Sequence, residues 1–294
     1  RMMPGTGSCA LSDAVQLTER ATQAGCAGVL MLPPFFYKNV AEEGLFRFFS
    51  EIIERVGDAR LRIYLYHIPP VTMVGFSPGL VERLLARYPG VIAGMKDSSG
   101  DWNNTKAMLD NFAASGFDVF VGSETFLLAN MQHGGVGCIS ATANVNPAAI
   151  DRLFRGWQED DAGARQQRLD TVRGVVERAA LLPALKAVLA RYRTDPAWAT
   201  VRPPLVELAL AQERRGAERG EQPAPQPRGF SDAALHQAGG RRVVTERAGA
   251  DGQAEVEVRG AAGVLDAGHA DLEAHGLVLG EGLTESAAQG HVVP

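Results

Sequence analysis

The chain has 294 residues, 46% of them hydrophobic and 7% aromatic, enough apolar material for one large α/β domain or two ordinary ones. Its formal charge of −5 offers no basic field for nucleic acid or an anionic membrane, so neither is a predicted partner. Cys9, Cys26 and Cys138 are odd in number and lack metal-ligand spacing; with no secretory leader and no apolar run of membrane-spanning length, they point to a soluble cytoplasmic protein with reduced thiols.

From residue 1 to about 212, short apolar runs alternate with amphipathic stretches. The glycine turn at Gly5-Thr6-Gly7 lacks the Gly-Lys-Ser/Thr ending of a phosphate loop. Ser12 is placed to cap a helix that ends at Gly25. Strands are predicted over 27–32, 61–66, 91–96, 119–122 and 137–141, each nearly continuous in apolar character, as strands buried on both faces must be. Ser77 followed by Pro78 predicts a second capped helix, with proline at its first position. Residues 147–192 read as mostly helical, with a break or kink at Pro183, and Arg202-Pro203-Pro204 as the turn into a last helix. Strand, helix and strand repeating in this way indicate a parallel sheet of βα units.

The composition changes at Glu213. From there to the end the chain has no lysine, isoleucine, methionine, asparagine, tyrosine, tryptophan or cysteine, and Phe230 is its single phenylalanine. No period of 2 or 3.6 is clear over 256–279, so residues 213–294 read as a weakly structured tail. A shifted reading frame would give the same bias. Acids outnumber arginines in it and no aromatic platform is present, which argues against nucleic-acid binding there.

The segment 90–100 carries the chemistry. An apolar strand ends abruptly in Lys96, followed by Asp97-Ser98-Ser99-Gly100. Strict alternation places Ile92, Gly94 and Lys96 on one face, and Gly94 leaves space beneath the lysine stem. At the C-terminal mouth of a barrel, desolvation would favour the neutral amine that attacks a carbonyl. The bland alternative is a strand-end lysine that reaches solvent or pairs with an acid. Tyr66 ends the preceding strand and could pass protons at the same mouth, or be a barrel aromatic with a satisfied hydroxyl. His67 and His133 read as structural.

Three runs occur in order: Leu-Tyr-His-Ile-Pro at 65–69, Gly-Met-Lys-Asp-Ser-Ser-Gly at 94–100 and Gly-Cys-Ile-Ser-Ala-Thr-Ala-Asn at 137–144. Together with Pro4-Gly5-Thr6-Gly7-Ser8 and the stretch 32–37, they resemble the family of dihydrodipicolinate synthase, N-acetylneuraminate lyase and 2-keto-3-deoxygluconate aldolase. The resemblance covers about residues 1–212 and implies a (β/α)₈ barrel and Schiff-base chemistry. Lys96 would form an imine with pyruvate or a related 2-keto acid, and Tyr66 would shuttle protons. Gly122, Ser123 and Glu124 match a segment that contacts substrate hydroxyls in sugar-acid members, although a helix cap and first turn would also explain Ser123 and Glu124. Ile139 matches a position whose carbonyl lies beside the keto acid; its side chain alone suggests core. The partners implied are a 2-keto acid, an aldehyde and further copies of the chain in a dimer or tetramer, with no cofactor and no metal.

The family pattern is departed from in three places. Two βα units, including a Gly-Thr-Thr-Gly-Glu loop that holds the substrate carboxylate, would precede the turn that stands here at residue 4, so the expectation is a barrel lacking its first two units, with strands three to eight present. Val71 stands where the synthase has an arginine for a second carboxylate, which argues against that reaction. Phe36 replaces a tyrosine of the synthase's proton relay. With Pro33-Pro34 and Asp97 after the lysine, this favours the sugar-acid aldolases. The rival enzyme reading is a hydro-lyase using the same imine. The rival of another class is an inactive fragment or a non-catalytic keto-acid binder.

Overall fold

In a computed structural model that describes residues 2–208, 243–248 and 254–259, each apolar run becomes a strand paired with its neighbours in sequence. The elements follow as α1 (Leu11–Gln23), β1 (Val29–Met31), α2 (Glu42–Val56), β2 (Ile63–His67), α3 (Pro69–Thr72), α4 (Pro78–Arg87), β3 (Ile92–Asp97) and α5 (Trp102–Phe112). Then come β4 (Asp118–Val121), α6 (Leu127–Gln132), β5 (Gly137–Cys138), α7 (Pro147–Arg155), α8 (Ala162–Val176) and α9 (Leu181–Tyr192). The sheet runs β1-β2-β3-β4-β5 with every pair parallel. Gly5 adds a parallel bridge to Leu30, whose amide donates to Pro4 O and whose carbonyl accepts from Thr6 N, both at 2.9 Å. These are six consecutive strand positions of a (β/α)₈ barrel, in which chain order and sheet order coincide.

The helices cover one face of this sheet. Phe49 and Ile52 of α2, Leu80 and Leu84 of α4 and Met108 of α5 pack with Met31, Ile63, Leu65, Met95 and Val119 in one buried cluster. A second cluster joins Val121 and Cys138 to Leu127, Ile150, Leu153 and Leu169. The opposite face bears Leu30 and Phe120, which are buried, and Tyr64, Tyr66 and Lys96, which are half-buried, so the expected burial on both faces holds for the helix side and in part for the other among the described residues. Each fully buried aliphatic or aromatic side chain contributes about 1.5–3 kcal/mol.

Local signals hold in part. Ser77 Oγ accepts from Leu80 N at 3.1 Å with Pro78 at the first helical position, as predicted. Ser12 does not cap α1; it lies inside the helix and bonds Asp13, while Ser8 Oγ accepts from Ala10 N at 3.2 Å. The expected break lies just before Pro183, at residues 177–180 between α8 and α9, and Pro183 itself falls in the first turn of α9, where a missing N–H costs little. The run 137–141 is a strand only at Gly137–Cys138; Ser140 then caps a 3₁₀ turn over Ala141–Asn144. Leu205 N donates to Arg202 O, closing the expected turn at Pro203-Pro204.

Among the described residues the chain divides into two units, one ending at Leu169 and the other starting at Asp170. In the second, the Arg193 guanidinium lies 5.6 Å over the Trp198 ring. It also contains β6 (Val243–Ala248) and β7 (Ala254–Arg259), an antiparallel pair. This pair departs from the reading of the tail as weakly structured; apolar and charged residues alternate over 254–259, a window too short to stand out. The rest of that reading concerns residues outside those described. Among the described residues no helix is long and apolar enough to cross a membrane.

Phe49→Ala removes a fully buried ring from the helix-facing core and should lower unfolding stability by about 3–5 kcal/mol in denaturant titration. A loss under about 1 kcal/mol would mean that α2 does not pack on the sheet as described.

Candidate active site

Lys96 leaves β3 beside Tyr66 of β2, its direct register partner. Its Nζ donates to the Tyr66 hydroxyl at 3.2 Å and lies 4.3 Å from the ring centroid, a cation–π distance. The sequence therefore named the two side chains that the sheet brings together. The pairing depends on a bulge. Ile63 pairs with Ile92 but Tyr64 with Gly94, so Ala93 is the extra residue. This corrects the expectation that Ile92 shares a face with Gly94 and Lys96: Ile92 joins Met95 in the helix-facing core.

The space beneath the lysine is filled, contrary to expectation. A Cβ on Gly94 would lie 2.9 Å from the Tyr64 ring and 2.3 Å from Asp118 O, and one on Gly28 would lie 2.8 Å from the same ring. The two glycines thus admit Tyr64 across the sheet, where its hydroxyl donates to Asp118 Oδ2 at 2.9 Å. Burial, then the Asp118 carboxylate, pushes the phenol up to about 12. Nothing in the sequence reading singled out Tyr64 or Asp118. The usable signal is a tyrosine whose neighbouring strands carry glycine, legible only once the register is known.

The mouth is laced by backbone bonds. Ser98 N donates to His67 O at 2.7 Å and Gly122 N to Asp97 O at 2.6 Å. A Cβ on Gly122 would sit 1.9 Å from Ser98 Oγ, so the close approach of these strand ends requires glycine. Asp97 points towards the helices, where it accepts from Ser99 N, Asn104 Nδ2 and Thr105 Oγ1, each at 2.8 Å. His67 is structural, as predicted: it is buried, its Nδ1 accepts from Phe76 N at 3.0 Å, and burial holds it below the usual imidazole range against the opposing pull of Asp97. His133 is exposed and bonds Ala129 O.

Of the residues matched to substrate contacts, Gly122 and Ser123 follow β4, and Ser123 Oγ accepts from Thr125 N at 3.4 Å as the cap of a 3₁₀ turn over Glu124–Phe126. Glu124 is only 1% exposed, and its carboxylate accepts from the Ser140 and Thr142 hydroxyls. Ile139 is half-buried beyond β5, its amide donating to Val121 O at 2.9 Å. Phe36 and Tyr37 (each 74% exposed), Val71 (72%) and Met73 (70%) present apolar surface. Lys38 ties its two loops together by donating to Phe35 O and Thr72 O.

The model of the dihydrodipicolinate synthetase family matches residues 1–218. An uncharacterised DapA-like lyase of Chloroflexus aurantiacus is 33% identical over 209 residues, 71% of this chain and 69% of its own length. A 4-hydroxy-tetrahydrodipicolinate synthase of Stutzerimonas stutzeri is 34% identical over 67% of this chain and 63% of its own. The crystal structure of dihydrodipicolinate synthase from Agrobacterium tumefaciens superposes with a TM-score of 0.63 at 32% identity, covering 73% of this chain and 72% of that one. The chain thus spans roughly two thirds of the length of these relatives.

The Tyr64 phenol keeps its proton in the fold at pH values where the unfolded chain, near the ordinary value of 10, has lost it. The native state then binds more protons, so stability falls as pH rises from 10 towards about 12. Tyr64→Phe should flatten that part of the stability-against-pH curve relative to the parent; an identical slope in both would remove the Tyr64–Asp118 bond from the account.

Proposed function

The chain belongs to the dihydrodipicolinate synthetase family, and on that premise we propose that it is a Schiff-base lyase whose Lys96 captures pyruvate or a related 2-keto acid. The observation that carries this is the 3.2 Å contact between Lys96 Nζ and the Tyr66 hydroxyl at adjacent strand ends. The neutral amine attacks the keto carbon to give a carbinolamine, which loses water to become the imine. The imine withdraws electrons from the neighbouring carbon, a proton leaves it, and the resulting enamine adds to an aldehyde. Cleavage of a longer keto acid is the same sequence reversed. We assign to Tyr66 the proton traffic: its phenol gives a proton to the departing hydroxyl, its phenolate takes up the proton released from the neighbouring carbon, and the phenol returns it to the aldehyde oxygen as the new hydroxyl forms, after which water hydrolyses the imine and frees the amine.

Gly122, Ser123 and Ile139 are the proposed contacts of the keto acid and its hydroxylated tail. We do not carry Glu124 into this set, because its carboxylate is buried. A keto-deoxy sugar acid is the favoured substrate, since Val71 supplies no guanidinium for a second carboxylate. The hydro-lyase reading is favoured instead by the name of the Stutzerimonas relative, and the two differ in the second substrate rather than in the imine. The proposed domain is residues 1–212, supported by the family match that ends at 218. We place the protein in the cytoplasm, in keeping with the free, exposed thiol of Cys9.

Borohydride reduction in the presence of pyruvate should add one pyruvate-derived group at Lys96, read by peptide mass. Lys96→Ala should give no adduct, and Tyr66→Phe should slow its formation by roughly 10²-fold. An adduct on another lysine would end the assignment. We further propose that the apolar surface of Phe36, Tyr37, Val71 and Met73 packs against a second copy of the chain. Phe36→Ser with Tyr37→Ser should then shift sedimentation to a smaller species; a monomeric parent would exclude the self-association.

A further inference from the structure

The turn after β4 and the turn after β5 meet at a buried carboxylate. The 3₁₀ turn that Ser123 caps directs Glu124 inward, leaving it 1% exposed. There Ser140 Oγ donates to Oε2 and Thr142 Oγ1 to Oε1. The two hydroxyls lie 2.9 Å apart, and Thr142 N donates to Ser140 Oγ at 3.3 Å, so the carboxylate grips a turn that is already closed on itself. From the other side, Gln166 of α8 donates to Glu124 O at 2.9 Å and accepts from Leu128 N at 3.0 Å. Hydroxyl-to-carboxylate bonds in a dry site are strong, and an unpaired charge there is costly. The fold thus spends a buried charge on fixing one loop to its neighbour.

At 1% exposure the Glu124 carboxylate presents almost no surface to a ligand. What it holds is reachable: Ile139, half-buried, lies immediately before Ser140 and donates to Val121 O. The Cys138 thiol of β5, pushed up to about 12 chiefly by burial, feels the charge of Glu124 raising it and that of Lys96 lowering it.

We propose that Glu124 is a positioning residue, whose carboxylate clamps the turn 140–142 to the end of β4 and so sets the wall of the keto-acid pocket at Ile139 without touching substrate. The pocket in this statement rests on the imine reading; the clamp itself does not.

Two measurements on the full chain separate these. In hydrogen exchange, Glu124→Gln should speed amide exchange over 137–144 by about 10-fold or more, since both hydroxyls lose a charged acceptor and one faces an NH2 group instead. Ser140→Ala, which removes a single donor, should act in the same direction with a smaller effect. Unchanged exchange in both variants overturns the clamp, whatever the chain does with keto acids. In borohydride trapping, Glu124→Gln should raise the half-saturating concentration of pyruvate, which has no hydroxyl, and of a hydroxylated keto acid by the same factor of about 10, at full final yield. A rise confined to the hydroxylated acid would make Glu124 a substrate contact. A lower yield at unchanged half-saturation would reduce it to a fold-stabilising group. Either result overturns the positioning role. A parent chain that traps no pyruvate but shows the exchange effect would defeat the imine reading and leave the clamp standing.

Discussion

The account depends on one extra residue in one strand. Had β3 paired with β2 without interruption from the Ile63–Ile92 pair onward, Tyr66 would face Met95 and Lys96 would fall opposite His67. Ala93 absorbs the offset, and after it Tyr64 meets Gly94 and Tyr66 meets Lys96. Because side chains alternate along a strand, a slip of one residue would send the amine into the helix-facing core beside Met108 and Leu80. The bulge lets an apolar strand end in an amine beside the Tyr66 phenol.

The surroundings of the bulge hold that arrangement. Glycine at 28 and 94 allows the Tyr64 ring to lie across β3, and its bond to Asp118 ties β2 to β4 over the strand that carries the lysine. Ser98 N to His67 O and Gly122 N to Asp97 O fasten the same three strands at their C-terminal ends. Asp97, adjacent to the lysine, spends its carboxylate on the start of α5. The amine is thus left to pair with a phenol rather than with the carboxylate beside it in sequence. A lysine held protonated by a nearby carboxylate would be a poor nucleophile; one against a phenol has a proton partner.

Much of this was legible from residues alone. The apolar runs located the strands because parallel strands under helices need continuous apolar character, and Ser77-Pro78 located a helix start because both preferences are local. Lys96 and Tyr66 stood out because an apolar strand ends abruptly in the lysine, the preceding strand ends in the tyrosine, and both lie in runs that resemble the family's. The bulge, the filled floor and the seat of Glu124 were not legible, since each is a fact about register or about a contact between distant segments. Alternation counted from Ile92 gave the right face for Lys96 and the wrong one for Ile92, because one residue steps out of the pleat between them. Glu124 read equally as a first-turn residue or a substrate contact; it does open the 3₁₀ turn that Ser123 caps, and only its burial against Ser140 and Thr142, residues distant in sequence, could not be read ahead.

The central claim, that the Lys96 amine and the Tyr66 phenol together turn a bound ketone into an enamine, is tested most directly by exchange of the methyl protons of pyruvate in deuterated water, followed by proton NMR. It requires no aldehyde and no knowledge of the natural substrate. The account predicts loss of the methyl signal well above the protein-free rate with the parent chain, and a protein-free rate with Lys96→Ala. Exchange that persists at the parental rate in Lys96→Ala, or a parent chain no faster than buffer, would contradict it.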